Sequence, residues 1–118
     1  MTDAVRDLAA AGPPEATLNA TYDAVNNRVA LQVTPAPDTT CVTVQRADKD
    51  GTVRPVQRLA YVTVDGPTVL YDWTAPLNRP AQYSVIFFRR EGERLFVDFT
   101  REVTVTPTWD GYRLGGGA

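Results

Sequence analysis

The chain has 118 residues, of which 43% are hydrophobic and 22% are charged, a composition typical of one globular domain with its own core. Its 12 basic and 14 acidic side chains give a net charge of −2, so no overall positive field would attract a nucleic-acid backbone or an anionic membrane. The single cysteine excludes an intramolecular disulfide, and the absence of histidine removes the commonest general base and metal ligand.

Residues 1–15 precede the first strand pattern and are predicted to form a tail or a short helix. Val5, Leu8 and Ala9 have helical spacing, and the following Gly-Pro-Pro sequence would end such a helix. Asp3 and Asp7 lie in a segment without an apolar stretch of signal-peptide length, which predicts synthesis in the cytoplasm without a signal peptide. No segment approaches the ~20 apolar residues that span a bilayer.

From residue 16 onward, apolar and polar side chains alternate in short runs, which is the pattern of β-strands with one buried face. The runs TLNATY and RVALQVT are separated by the polar cluster DAVNN, an arrangement typical of a hairpin. The sequence PAPD ends the second run, because proline cannot donate to a strand ladder. A third run, TCVTVQR, is followed by the turn sequence DKDG. Three strands are therefore predicted in this half.

The second half of the chain continues the strand pattern. Residues 53–64 contain Pro55, which favours an edge strand or a bulge over a central strand. The run TVLYDW places its valine, tyrosine and tryptophan in one phase and predicts a short fifth strand. The runs QYSVIFFRR and RLFVDFTREVTVT, joined by EGE, predict the longest hairpin, with a bulge at Arg101 and an end at Pro107.

The chain is thus predicted to be all-β, with about seven short strands in a two-sheet sandwich. We expect this β-sandwich domain over residues 16–107, followed at 108–118 by an aromatic and glycine-rich tail or linker. The predicted core consists of Leu18, Val29, Leu31, Val33, Val42, Val44, Val69, Trp73, Tyr83, Val85, Val97, Phe99 and Val105.

No catalytic, cofactor or metal site is predicted. Most acidic residues fall in predicted turns, where carboxylates cap backbone amides or face water. The sequence DKDG lacks the ligand series of a calcium loop, and the glycines at 115–117 lack the lysine and helix of a phosphate loop. Cys41 has no neighbouring base to activate it. The chain is therefore predicted not to be an enzyme, the remaining enzymatic alternative being a hydrolase with an unrecognised site.

The strand at residues 83–88 carries apolar side chains in both of its phases. If one face of its sheet packs on the core, Ile86 and Phe88 remain on the other face and need a cover. One interpretation is that the chain's own N-terminal segment or tail covers them. The other is that Ile86 and Phe88 form a protein interface.

Two aromatic residues lie beyond the last predicted strand. Trp109 and Tyr112 flank a turn at Asp110 and Gly111 in the segment PTWDGYRL. Aromatic side chains at such a place either fold back onto the domain, contact a partner or stack on a sugar. A carbohydrate-binding module that uses Trp109, Tyr112 or Trp73 is therefore an alternative function.

The segment PLNRPAQYSVIFFRREGE resembles the characteristic stretch of fibronectin type III domains, through Leu77, Pro80, Tyr83, Val85 and Gly92. The run RVALQVT followed by PAPD is similar to the second strand and proline-rich turn of the same family, although a valine or leucine replaces the usual tryptophan. The resemblance implies an all-β, seven-stranded two-sheet sandwich of the fibronectin type III or immunoglobulin-like kind.

The sequences TYDAVNNRVALQVT, VTVQRADKDGTVRPV and VLYDWTAPLNRPAQYSV are also similar to modules in minor tail proteins of bacteriophages that infect actinobacteria. This resemblance implies a virion component at the tail tip or baseplate, without catalysis or cofactor, that serves assembly or host-surface adhesion. The partners it implies are other tail proteins or like subunits, with host cell-wall glycan as a further candidate, and neither nucleic acid nor membrane.

Overall fold

A computed structural model describes residues 14–48 and 51–108. Within these ranges the chain forms eight β-strands: β1 (Thr17–Asp23), β2 (Arg28–Thr34), β3 (Thr39–Ala47), β4 (Val53–Pro55), β5 (Val62–Thr63), β6 (Thr68–Asp72), β7 (Ala81–Glu91) and β8 (Arg94–Val105). In this described part no helix is long and apolar enough to cross a membrane. The predicted N-terminal tail or helix and most of the predicted C-terminal tail lie outside the described residues.

The strands form two antiparallel sheets that pack as a sandwich. One sheet has the order β1-β2-β6, and the other has the order β4-β3-β7-β8, with β5 also paired to β3. The all-β sandwich prediction is confirmed. The strand number differs from the predicted seven, because residues 53–64 form two short strands, β4 and β5, at the edge of β3. Pro55 lies at this edge, where its missing N–H costs no ladder hydrogen bond.

The core lies between the sheets, where alternate residues of the central strands meet. Phe87 of β7 stacks on Phe99 of β8, with ring centroids 4.5 Å apart. Each fully buried large apolar side chain contributes about 1.5–3 kcal/mol before the entropy cost of ordering the chain. The fully buried side chains of this core are Val29, Leu31, Val33, Val42, Val44, Tyr83, Val85 and Phe87.

The predicted phase of β6 is wrong. Val69 and Trp73, predicted for the core, are 45% and 60% exposed, whereas Leu70 and Asp72 point inward. Apolar alternation predicts that Val69 and Trp73 face the core. Asp72 faces the core instead, because Arg46 and Tyr83 donate hydrogen bonds to its buried carboxylate. A strand with one carboxylate among its residues therefore cannot be placed by hydropathy alone.

The bulge in β8 lies three residues before its predicted position. Phe87 pairs with Phe99 and Phe88 pairs with Val97, so Asp98 is the extra residue. This insertion moves Val97, also predicted for the core, to the outer face, where it is 63% exposed. After Asp98, every second side chain of β8, beginning with Phe99, points toward the core.

Arg101, the predicted bulge position, pairs regularly with Val85. It therefore shares the inward phase with Phe99, and its guanidinium lies 5.0 Å from the Phe99 ring centroid. Its Nε donates to the carbonyl oxygen of Ala16 at 3.0 Å. Arg101 thus joins the edge of β8 to the start of β1.

Candidate functional site

The outer face of the five-stranded sheet carries a continuous apolar surface. Cys41 pairs with Thr63 and with Phe88, and Phe88 pairs with Val97, so these residues form one row across four strands. Directly paired residues of a sheet point to the same side. We call this surface the apolar patch, and it consists of Cys41, Tyr61, Ile86, Phe88, Leu95 and Val97.

Tyr61 covers the predicted interface residue Phe88. Their ring centroids are 5.1 Å apart, and the Tyr61 N–H donates to Thr43 Oγ1 at 2.9 Å, which fixes the tyrosine over the sheet. Phe88 is consequently only 7% exposed and Ile86 is half-buried. Tyr61 thus supplies part of the cover that Phe88 needs, and a protein interface at Ile86 and Phe88 stays a prediction. Within the patch, the exposed apolar side chains are Tyr61 and Val97, at 61% and 63%.

A shallow cavity of about 310 Å³ lies in the patch, between Tyr61 and Leu95. Cys41 lines it, but burial raises the pKa of the Cys41 thiol more strongly than nearby Arg90 lowers it. The thiol therefore stays protonated at neutral pH and is a poor nucleophile. The cavity thus combines an apolar surface with the positive charge of Arg90.

A second exposed aromatic surface follows the end of β6. The guanidinium of Arg28 lies 3.7 Å from the Tyr71 ring centroid and 4.9 Å from that of Trp73. Arg28 Nε also donates to Asp23 Oδ2 at 3.0 Å, so the arginine is held while it contacts both rings. Trp73 is thus an oriented indole that remains 60% exposed.

The turn at residues 56–59 forms the other wall of this surface. Val44 of β3 donates its N–H to the Leu59 carbonyl at 2.8 Å and accepts from the Val56 N–H at 2.9 Å, which anchors both ends of the turn. Its two central residues, Gln57 and Arg58, project outward. They line a cavity of about 200 Å³, which we call the Trp73 cleft. The residues that line it are Val56, Gln57, Arg58, Tyr71, Asp72, Trp73 and Thr74.

A buried polar network lies beneath the Trp73 cleft and joins the two sheets. Asp72 Oδ2 accepts hydrogen bonds from Arg46 Nη1 at 2.6 Å and from the Tyr83 hydroxyl at 2.7 Å. Asp72 Oδ1 accepts from the Thr74 N–H and hydroxyl at 2.9 and 2.7 Å. Arg46 Nε donates in turn to Asp48 at 2.7 Å. Both oxygens of the buried carboxylate are therefore satisfied.

The network fixes the charge states of its members. Burial acts to raise the pKa of Asp72, but the hydrogen bonds from Tyr83, Thr74 and Arg46 outweigh it and hold the pKa below its usual value. Burial and the hydrogen bond to Asp72 raise the pKa of Tyr83. Asp72 is thus a fully bonded carboxylate with a structural role and not a tuned general acid or base.

The sequence analysis did not predict this network, although the position of Arg46 in β3 indicated a buried charge. Arg46 continues the inward phase of Val42 and Val44, and a charged residue in that phase requires a partner. Asp72 supplies the partner from the opposite sheet. Identification of the pair needs the stacking of the two sheets, which alternation within one strand does not contain.

Trp109 and Tyr112, proposed as partner or glycan contacts, lie outside the described residues. Within residues 14–48 and 51–108, no group of three histidine, cysteine, aspartate or glutamate side chains is arranged to hold a metal ion.

A comparison with solved structures supports the sandwich architecture. No protein-family model matches the chain, and no curated protein matches it. A crystal structure described as an Fn3-like protein from Clostridium thermocellum superposes with a TM-score of 0.52, over 80% of this chain and 90% of that one. The chain has a fibronectin type III-like fold. At 16% sequence identity, the similarity extends to this fold and no further.

Proposed function

We propose that this fibronectin type III-like domain is a non-catalytic, protein-binding module that is assembled into a bacteriophage tail as a minor tail or baseplate component. Its partners are other tail proteins or like subunits, and its place is the virion. No cofactor takes part in this function.

The observation that carries the proposal is the apolar patch. The β8 bulge brings Val97 to the outer face, and Tyr61 extends that face beyond the sheet. The exposed Tyr61 and Val97, with the half-buried Ile86 and Leu95 beside them, give this face the apolar and aromatic composition of a protein-contact core. The exposed Arg90, which lines the cavity of the patch together with Tyr61 and Leu95, supplies a charged group of the polar rim.

The setting in a phage tail rests on sequence resemblance. The segment VLYDWTAPLNRPAQYSV is similar to modules of minor tail proteins, and it spans the end of β6 and the start of β7. Within this segment, Asp72 and Tyr83 form the hydrogen bond that joins the two sheets. The resemblance therefore includes residues that determine how the sandwich closes.

Replacement of Val97 by aspartate tests the patch within the particle. Val97 is 63% exposed in the isolated domain, so we expect Val97→Asp to fold normally. If a tail partner covers the patch, the new carboxylate is buried without a counter-charge, and we expect infectious particles to fall by about a hundredfold or more. The measurement is the titre of phage carrying the variant, with electron microscopy of the tails.

Val69→Asp is the matched control. Val69 is also an exposed strand valine, at 45%, but it lies on the outer face of the three-stranded sheet. We expect its titre to equal that of the wild type. Equal titres for the two variants would contradict the patch as an interface, and absence of the protein from purified particles would contradict the tail assignment.

A further inference from the structure

We propose that the Trp73 cleft binds one ring of an acidic saccharide, with the indole of Trp73 as the stacking platform and Arg58 as the partner of the ligand's negative charge. This site goes beyond the protein-binding function. It lies at the edge of the sandwich between the end of β6 and the turn at residues 56–59, away from Val97 and Leu95 of the apolar patch.

The backbone at Arg58 is the first support. The Leu59 N–H donates to the Val56 carbonyl at 3.0 Å, so Arg58 is the third residue of a β-turn. Its φ is 68°, in the left-handed region, where type II turns place glycine or asparagine. A long side chain at such a position is strained, and strain of this kind concentrates at functional sites. The turn therefore holds an arginine where its own geometry favours glycine.

The charge of Arg58 is the second support. Among the described residues, its guanidinium has no hydrogen-bond or ion-pair partner. Asp72, the acidic residue that lines the cleft, is already bonded to Arg46 and Tyr83. Arg58 is thus available for a carboxylate or phosphate, which a guanidinium binds through two parallel hydrogen bonds.

The shape and lining of the cleft favour a sugar. A pyranose ring presents C–H groups on its faces, which pack on an exposed indole, while its hydroxyl groups need nearby hydrogen-bonding side chains. Trp73 supplies the indole, and the amide of Gln57 supplies both a donor and an acceptor. Arg28, which contacts Tyr71 and Trp73, orients the ring system before any ligand arrives.

The size of the cleft argues against an extended peptide. Its volume of about 200 Å³ is below the roughly 300–1,000 Å³ of pockets that enclose a drug-sized ligand, so it suits one ring of a longer chain. A peptide would need an elongated groove with several side-chain pockets. The negative charge can belong to a uronic acid or to a phosphate on the sugar, and both present oxygen pairs to Arg58.

Titration of the full chain with galacturonic acid trimer tests the site. A Trp109→Phe background leaves Trp73 as the single indole, so a change in tryptophan fluorescence reports the cleft. We expect saturable binding with a Kd of about 1 mM, typical of one sugar ring with few anchors. Trp73→Ala, followed by calorimetry since it has no indole, is expected to abolish binding.

The Arg58→Gly variant separates the effect on ligand binding from the effect on protein stability. Because glycine adopts a φ of 68° without strain, we expect this variant to keep or raise its melting temperature while it weakens trimer binding about tenfold or more. The neutral galactose trimer should bind the wild type as weakly as the acidic trimer binds Arg58→Gly. A galactose 6-phosphate titration shows whether phosphate serves as well as carboxylate.

Three results would overturn the proposal. They are no saturable binding of either acidic ligand, equal affinity of wild type and Arg58→Gly for the acidic trimer, and binding to the Trp73 cleft of a proline-rich peptide but of no saccharide. Each leaves the apolar patch untouched, so this site and the protein-binding function can fail independently.

Discussion

Asp72 lies at the centre of the buried network, and its negative charge is stabilised by partners from both sheets. Arg46 and Tyr83 reach it from β3 and β7, while Thr74 closes a local turn over its other oxygen. A buried charge that loses its partner is strongly destabilising, by about 3–5 kcal/mol. The packing of the two sheets at this end therefore depends on the carboxylate of Asp72.

The pH dependence of stability follows from this carboxylate. The pKa of Asp72 is lower in the folded protein than the ordinary value of 3.8 in the unfolded chain. Its contribution is thus fully present above pH 3.8 and is lost as the pH falls through the lower folded value. We expect Asp72→Asn to lose about 3 kcal/mol of unfolding free energy at pH 7. We also expect the difference from wild type to shrink as the pH falls below 3.8 and through the lower pKa of the folded protein, because Asp72 then becomes protonated in both states.

Urea unfolding of both proteins between neutral and acidic pH measures this difference. Asp98→Asn is the control, because Asp98 is only part-buried and lies 3.6 Å from Arg89 at the surface. We expect the control to remain within about 0.5 kcal/mol of wild type at neutral pH, as for a surface ion pair. A constant Asp72→Asn deficit across the acidic range would show that the carboxylate charge is not what stabilises the network.

At the scale of elements, the β7–β8 hairpin presents most of the apolar patch. It turns at Gly92 and Glu93, and Gly92 has a φ of 63°. A two-residue hairpin loop with positive φ at its first central position is of type II′, which favours glycine there. No atom other than those of its chain neighbours lies within 4 Å of a Cβ added at Gly92, so a substitution acts through the backbone alone.

We expect Gly92→Ala to lower the unfolding free energy by about 1 kcal/mol, since alanine is strained at this φ. Glu93→Ala changes the neighbouring turn residue, which has no positive φ, and should remain within about 0.5 kcal/mol of wild type. Chemical denaturation of both variants measures the pair. Equal stabilities would contradict the assigned turn.

Most strands were predictable from the sequence, but the face that each strand buries was not predictable in every case. Alternation identified β2, β3 and β7 as strands, and in β2 it also identified the buried face cleanly, because Val29, Leu31 and Val33 alternate there with less buried residues. In β6, burial of Asp72 reversed the apparent phase, and in β8 the bulge at Asp98 came earlier than Arg101 suggested. Both differences depend on contacts with other strands, which a single strand's sequence does not specify.

At the scale of the whole molecule, two surfaces face different directions. The apolar patch occupies the outer face of the five-stranded sheet, and the Trp73 cleft lies at the edge where β6 meets the turn at residues 56–59. The two cavities share no lining residue, so under the two proposals one domain contacts a protein partner and a saccharide at the same time. This arrangement suits a module that is held in a particle while another side faces a host surface.

The sequence indicated parts of both surfaces. The doubly apolar strand β7 indicated an outer contact face through Ile86 and Phe88, but the covering residue Tyr61 comes from the connection between β4 and β5. The sequence predicts Trp73 for the core and also offers it as a sugar platform. Its position in one cleft with Arg58 depends on the packing of one sheet against the other, which the sequence of a single strand does not specify.

Hydroxyl-radical footprinting of Tyr61 and Trp73, in the isolated domain and in assembled tails, tests the central claim most directly. Both side chains are about equally exposed in the isolated domain, at 61% and 60%, so each serves as a reference for the other. We expect assembly to suppress oxidation of Tyr61 strongly and to leave Trp73 unchanged, because a tail partner covers the apolar patch and not the cleft. Equal oxidation of Tyr61 in the two samples would contradict the account.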